Sequence, residues 1–366
     1  CAFERSARQL RRRIPSSLRS SAPAQRDHYA TCGYIPRCGK LSLMPDPLRA
    51  PIFEVAGGFM ASKFLFVANE VGLFGSLADG PATLSELAAK TGVPTRTLRI
   101  VADAMVALGL LELHDGRYRN GPSATAYLTG RTPRDLGAML RFWDRVSYPR
   151  WNKLQETVRT GEGAFGGWVF SSEEQRIVSE GVQALQFEAA DALPQVYDFS
   201  RHRRLLDLGG GTGSWLAAVL RQHRNLQATL FDRPPVATVA RQKLSNEPVA
   251  AGVQVIAGDF FADSIPADHD LVLLANVVHL LAPERTLELL RRTRERVRDG
   301  ARLLLVDFWT DATHTRPLFS ALMAGAFLVD TGVGYVYSED EARQWRTQTG
   351  WRALERKELA GPVSVI

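Results

Sequence analysis

A glycine-rich stretch after a short apolar run is the part of this sequence best suited to bind a ligand. Residues 203–213 read RRLLDLGGGTG, and the acid Asp207 precedes the first of four glycines by two residues. Glycine lets a ligand approach the backbone closely at a strand-to-helix turn. A carboxylate there suits a positively charged amino group and would repel a pyrophosphate, and Ser214 stands where the dinucleotide motif needs its last glycine. The pattern predicts an S-adenosylmethionine site containing Asp207, Gly209, Gly211 and Gly213.

Further acids follow at the ends of the next two apolar runs. Asp232 ends the run NLQATLFD, where a carboxylate can accept hydrogen bonds from both ribose hydroxyls. Gly258, Asp259 and Phe260 end the run GVQVIAGDF, where an acid can accept from the adenine amino group while a ring packs on the base. One such acid is usually a solvated loop residue, but three at successive strand ends indicate a site. We assign Arg233 and Asn276 to the same cofactor site.

A single histidine lies between a fourth apolar run and a charged helical pattern. The stretch is ANVVHLLAP, and its histidine is His279. The local pattern favours a histidine packed in the core over a catalytic one. The histidines elsewhere in the body lack the spacing of metal ligands, so we expect no metal.

The order of elements from residue 201 predicts a doubly wound α/β fold. Apolar runs alternate with helical patterns, as in a Rossmann-like parallel sheet, and two short runs before the C-terminus predict an antiparallel hairpin at one edge. We expect seven strands. The chain stops soon after the last run, GPVSVI, so a short C-terminal piece could be missing.

The region before the sheet predicts a winged helix. A helix is expected from residue 50 to about 75, with Gly57 and Gly58 at a kink or a close packing point. A capping box at Thr83–Glu86, a second helix from about Thr95 and a hairpin around Asp115-Gly116 would follow. Residues 83–120 carry a net charge of only +1, which argues against DNA binding and for a dimerising role.

The excess basic charge of the chain lies in its N-terminal segment, residues 1–43, which we call the leader. The net charge is +6, and residues 1–45 hold eight Arg and one Lys against two acids, so the remainder is close to −1. This distribution argues against a nucleic-acid surface.

The sequence also lacks the signal of a membrane span, because it contains no uninterrupted apolar window of about 18 residues. All three cysteines lie in the leader. Its Arg- and Ser-rich composition fits a transit peptide, a disordered extension, or sequence upstream of a start at Met44. We expect a cytoplasmic protein, or a mitochondrial or plastid one if the leader targets it.

These motifs together resemble the plant and bacterial class I small-molecule O-methyltransferases. The stretches LLDLGGGTG, FDRPPV, GDFF, LLANVVHLLAPE and RLLLVDFW carry the resemblance. It implies a winged-helix dimerisation domain, a homodimer and a small-molecule methyl acceptor, without nucleic acid or membrane. We divide the chain into a leader (1–43), a dimerisation domain (44–135), a helical linker and substrate wall (136–200) and a methyltransferase domain (201–366).

The resemblance also changes the interpretation of His279. The family uses a histidine at this place as general base, oriented by an acid that corresponds to Asp307. This sequence departs from the pattern, since Leu280-Leu281 replace the usual Asp-Trp, and a second orienting Glu is missing near Val336, where Tyr335 and Tyr337 stand. Ala275 replaces a lysine that often contacts adenine. O-methylation of a hydroxyl is expected; the alternatives are an S- or C-methyltransferase and a winged-helix regulator of DNA.

Overall fold

The computed structural model describes residues 48–167, 169–351 and 356–366. The predicted leader, residues 1–43, lies outside these ranges, so its three interpretations stay predictions. The dimerisation, linker and methyltransferase divisions also stay predictions as boundaries, and the elements below are given by their own limits.

The first described region combines helices with a small antiparallel sheet. Its elements are α1 (Ala50–Glu70), α2 (Leu73–Ser76), β1 (Ala82–Thr83), α3 (Leu84–Thr91), α4 (Thr95–Ala107), β2 (Leu111–His114), β3 (Arg117–Asn120) and α5 (Pro122–Tyr127). The predicted capping box is confirmed, because Glu86 N–H donates to Thr83 Oγ1 at 3.3 Å and Thr83 N–H donates to Glu86 Oε2 at 2.6 Å. The predicted hairpin is confirmed by the antiparallel pairing of β2 with β3.

The prediction of one helix reaching residue 75 is wrong at its C-terminal end. Gly72 has a φ of +70°, so the helical backbone stops after Glu70 and α2 begins at Leu73. Gly57 and Gly58 both lie inside α1, and a Cβ on Gly58 would meet no atom within 4 Å. A Cβ on Gly57 would lie 3.5 Å from Met60 Cε of the same helix, so within the described chain neither glycine packs closely against another element.

Helix α1 exposes much of its apolar surface. Ile52 is 68% exposed, Val55 83% and Phe59 55%. By length and composition this helix could cross a membrane, and it is the one such helix among the described residues. It also carries Glu54 and Lys63, which interrupt the apolar run. An exposed apolar helix of this size needs a partner surface to cover it.

A second group of helices connects this region to the large sheet. It contains α6 (Gly137–Phe142), a π-helical turn at Trp143–Ser147, α7 (Tyr148–Trp151), α8 (Leu154–Thr160) and α9 (Ser172–Val196). Helix α9 begins with a capping box between Ser171 and Glu174. Gly181 allows α9 to approach α6 closely, since a Cβ there would lie 2.3 Å from Phe142 Cβ.

The remaining elements form the predicted doubly wound sheet. They are β4 (Arg204–Leu208), α10 (Ser214–Gln222), β5 (Gln227–Asp232), α11 (Pro234–Leu244), β6 (Val253–Ala257), β7 (Leu271–Ala275), α12 (Pro283–Arg296), β8 (Arg302–Phe308), α13 (Leu318–Thr331), α14 (Glu339–Thr349), β9 (Lys357–Glu358) and β10 (Val363–Val365). Within the described ranges seven strands pair in the order β6-β5-β4-β7-β8-β10-β9. Strands β4 to β8 are parallel, and β9 and β10 form the predicted antiparallel edge.

Apolar residues on both faces of the central strands explain this layered fold. Leu205 and Leu273 pack with α9, α10 and α11 on one side, while Leu206 and Val272 pack with α12 and α14 on the other. Continuous apolar runs are typical of parallel strands covered on both faces. The strand order reverses beside β4, which pairs with β5 on one side and β7 on the other. Ligands bind at the carboxyl ends of the strands at such a switch point.

Candidate active site

The glycine turn after β4 is built from positions that exclude side chains. Gly209, Gly211 and Gly213 have φ values of +78°, +59° and +81°. A Cβ on Gly209 would lie 2.7 Å from Val277 Cγ2, and one on Gly213 would lie 2.8 Å from Leu244 Cδ1. Both the backbone conformation and the close neighbours therefore require glycine here.

Asp207 lies directly beneath this turn and is fully buried. Its Oδ2 would be 2.7 Å from a Cβ on Gly210. Neither carboxylate oxygen has a hydrogen-bond partner among the described residues. Burial, with a smaller contribution from the nearby Asp232, raises the pKa of Asp207 to about 8. A buried acid without partners fits a ligand that brings positive charge to the glycine turn.

Asp232 is the last residue of β5, and it stabilises the glycine turn after β4. Its Oδ2 accepts a hydrogen bond from Gly211 N–H at 2.9 Å, and its Oδ1 accepts from Arg233 N–H at 2.7 Å. Burial raises the pKa of Asp232, and these two backbone hydrogen bonds oppose the rise. Each carboxylate oxygen has two lone pairs, so both can still accept from hydroxyl groups of a ligand.

The segment after β6 supplies an acid and an aromatic ring. Asp259 Oδ1 accepts from Phe261 N–H at 2.7 Å and from Ala262 N–H at 3.3 Å, so this exposed side chain stabilises its own turn. The Phe260 and Phe261 rings meet edge to face at 4.9 Å. Gly258 packs against Phe231, since a Cβ there would lie 2.5 Å from the ring.

Most of the residues predicted to bind the cofactor line one cavity of about 480 Å³, which we call the donor cavity. They are Gly209, Gly211, Asp232, Arg233, Asp259, Phe260 and Asn276. Asp207, Gly213 and Gly258 are buried and support the wall of this cavity from behind. Helix α9 forms another wall with a row of polar side chains, Gln175, Ser179, Gln183 and Gln186. The sequence interpretation missed that row, although its spacing of three and four residues marks one face of a helix.

His279 lies in a second cavity of about 530 Å³, the acceptor cavity. It follows β7 in a 3-10 turn, and its Nδ1 lies 2.6 Å from Oδ1 of Asp307 on β8. Asp307 Oδ1 also accepts from Phe308 N–H at 2.8 Å. A carboxylate that accepts from Nδ1–H places the lone pair of a neutral imidazole on Nε2. The residue is 6% exposed, so this arrangement is shielded from bulk water.

Neighbouring groups hold the His279 turn where the family pattern has a second Glu. The Phe327 ring stacks on the imidazole with 3.9 Å between centroids and 16° between planes. Tyr335 N–H donates to the His279 carbonyl at 3.0 Å, and the Tyr337 hydroxyl donates to the Leu281 carbonyl at 2.6 Å. Gly334 allows this approach, since a Cβ there would lie 2.7 Å from the His279 carbonyl oxygen.

The acceptor cavity is mainly apolar and contains many aromatic side chains. Nine aromatic side chains line it: Phe66, Phe142, Trp143, Tyr148, Trp151, Phe170, Phe308, Phe319 and Phe327. One ion pair also reaches it, between Arg150 Nη1 and Asp330 Oδ1 at 2.8 Å. The two cavities share Val182, Gln186, Asn276 and Leu280, so a group could pass from one to the other at that wall.

Two cavities that share a wall on a doubly wound sheet suit the transfer of a group from one ligand to another. An O-methyltransferase dimerisation domain model matches residues 53–130, and an O-methyltransferase domain model matches residues 151–352. The chain belongs to this O-methyltransferase family, and it is an S-adenosylmethionine-dependent methyltransferase that acts on a small molecule and forms homodimers.

Individual relatives and structures agree with this assignment. The chain is 30% identical to 3-hydroxy-5-methyl-1-naphthoate 3-O-methyltransferase of Streptomyces sahachiroi, over 84% of this chain and 91% of that one. It is 30% identical to phenazine O-methyltransferase PhzM of Lysobacter antibioticus, over 71% and 79%. The structure of human N-acetylserotonin methyltransferase with SAM superposes with a TM-score of 0.81 at 27% identity, covering 87% of this chain and 96% of that one.

Binding of the cofactor at pH 7 is expected to release about one proton from Asp207. With a pKa of about 8, this acid is protonated at pH 7 in the free protein. The positive amino group of the ligand lowers that pKa, so the proton leaves on binding and affinity rises with pH up to about 8. Calorimetry of S-adenosylhomocysteine binding, in buffers with different ionisation enthalpies, measures the release. Asp207→Asn should abolish it, and an unchanged release in that variant would contradict the assignment.

Proposed function

We propose that this enzyme methylates a hydroxyl group on a flat aromatic small molecule, with His279 as general base. The observation that carries the proposal is the His279 imidazole in the acceptor cavity, with its Nδ1 2.6 Å from Oδ1 of the buried Asp307. A hydroxyl must lose its proton as its oxygen takes the methyl group, and a neutral imidazole can accept that proton through its free ring nitrogen.

The lining of the acceptor cavity supports an aromatic acceptor. Trp143 and Phe319 stack with 6.5 Å between ring centroids, and Phe308 packs on Phe319 at 5.6 Å. Aromatic rings associate best with other rings in offset-stacked or edge-to-face geometry. The naphthoate and phenazine named for two relatives are acceptors of this shape, which we extend to this chain as part of the proposal.

The residues of the chain have separate tasks in this reaction. S-adenosylmethionine supplies an electrophilic methyl group when it is bound. Asp232 and the glycine turn fix the position of the donor, and the aromatic walls orient the acceptor, which supplies proximity. His279 Nε2 takes the hydroxyl proton as the new carbon–oxygen bond forms. Asp307 holds the imidazole in place and stabilises its charged form.

We also propose that a second copy of the chain, and neither a membrane nor DNA, covers the exposed face of α1. The helix lies almost wholly inside the segment that matches the dimerisation model. Burying side chains such as Val55 and Phe59 against an identical helix removes apolar surface from water.

Mass spectrometry with a panel of acceptors tests the proposed reaction. The panel contains hydroxynaphthoates, hydroxyphenazines and small phenols, with the matched methyl ethers as controls. We expect a mass gain of one methyl group on the hydroxyl compounds and none on the ethers. A thioether or a 2-oxo acid that is methylated while every hydroxyl compound fails would point to an S- or C-methyltransferase. Tight, sequence-specific DNA binding without methyl transfer would support the regulator instead.

A further inference from the structure

Gln186 occupies the wall that the donor and acceptor cavities share. It lies on α9, is 2% exposed and contributes to the lining of both cavities. Its position on the same helix face as Gln183 and Ser179 directs it toward the donor cavity. The methyl group must cross this wall to travel from donor to acceptor.

The two ends of the Gln186 amide have different surroundings. Nε2 donates to Oδ1 of Asn276 at 3.2 Å. The backbone of Asn276 is held in place, because its N–H donates to the Val306 carbonyl at 2.8 Å, and its φ is +57°. Oε1 of Gln186 is buried and has no hydrogen-bond partner among the described residues. A buried acceptor without a partner is unfavourable, so it is rarely kept without a reason.

We propose that the Gln186 carbonyl oxygen recognises the positive charge of the sulfonium and makes the enzyme prefer S-adenosylmethionine over S-adenosylhomocysteine. The sulfonium carries a full positive charge, whereas the thioether of the product is neutral. The partial negative charge of an amide oxygen attracts the first and gains little from the second. The Asn276 contact favours the required orientation, since turning the amide would break the hydrogen bond from Nε2.

An amide also suits this position better than a carboxylate does. A carboxylate beside the sulfonium would attract the donor more strongly, but its oxygen is a nucleophile that could take the methyl group itself. A neutral amide oxygen is a much weaker nucleophile. Gln186 is therefore a positioning and specificity-determining residue in this proposal, and His279 remains the group that handles the proton.

Calorimetric titration of both ligands tests the inference without any acceptor. Gln186→Met keeps the length of the side chain and removes the amide. We expect its affinity for S-adenosylmethionine to fall about tenfold, the size of a lost hydrogen bond to a charged group, while S-adenosylhomocysteine changes less than about threefold. Sinefungin, which carries an amine in place of the methylated sulfur, serves as a stable charged ligand and should follow S-adenosylmethionine.

Two further variants make the result decisive. Gln195→Met changes an exposed glutamine on the same helix and should alter neither affinity. Gln186→Glu keeps an oxygen at the site and should preserve or increase the preference for the charged ligands. Equal losses for both ligands in a folded Gln186→Met, or a Gln186→Glu protein with reduced preference, would overturn the inference. The inference rests on the donor and acceptor assignment of the cavities, but these titrations do not depend on His279, so the two can fail separately.

Discussion

His279→Ala is expected to lower turnover about 10²- to 10⁴-fold, with cofactor affinity nearly unchanged. The imidazole lies in the acceptor cavity, where its Nδ1 is 2.6 Å from Oδ1 of the buried Asp307, and it does not line the donor cavity. Its removal leaves the acceptor hydroxyl without a positioned base. Steady-state turnover of a hydroxyl acceptor, together with calorimetry of S-adenosylhomocysteine, measures the two quantities.

The same substitution also removes a stacking partner of Phe327, so loss of stability must be separated from loss of catalysis. The melting temperature of the variant and turnover below that temperature provide this separation. Asp307→Asn is the matched comparison and should be milder, because Asp307 orients the imidazole without taking the substrate proton. A His279→Ala protein that melts several degrees lower yet turns over normally would show that the histidine only packs.

Asp232→Ala is expected to weaken S-adenosylmethionine binding by about 1–3 kcal/mol. The variant loses the two backbone hydrogen bonds from Gly211 and Arg233 that shape the glycine turn, together with the carboxylate that we assign to the ribose hydroxyls. Asp232→Asn keeps one acceptor oxygen, so its loss should be smaller. Calorimetry on the folded variants gives the affinities directly.

Asp270 provides a matched control for this prediction. Its carboxylate also accepts from two backbone N–H groups, those of Arg203 and Arg204. It lies at the amino ends of β4 and β7, on the side of the sheet away from the glycine turn. Asp270→Ala should lower the melting temperature and leave cofactor affinity unchanged. If Asp232→Ala binds as tightly as the native protein, the assignment of Asp232 to the ribose is wrong.

The sequence alone predicted the doubly wound sheet and the acids at the carboxyl ends of its strands. The runs that became β4, β5, β6 and β7 are rich in apolar residues, and each ends in, or is followed by, a polar residue or a glycine turn. Parallel strands bring their carboxyl ends to one edge, so Asp207, Asp232 and Asp259 had to lie near one another once the strand order was known. The predicted capping box is equally local, because the Thr83 and Glu86 contact involves residues three apart.

The contacts between the helical walls of the two cavities and the rest of the chain could not be predicted in this way. Gln186 meets Asn276 across 90 residues of chain, and Arg150 meets Asp330 across 180. Phe327 reaches the His279 ring from α13, and Tyr335 and Tyr337 support that turn where a glutamate had been expected. The spacing of residues on a helix shows which face turns inward, but it does not show which other element that face meets. Only the packing of α9 and α13 against the sheet decided that a glutamine would line both cavities and that a phenylalanine would stack on the His279 ring.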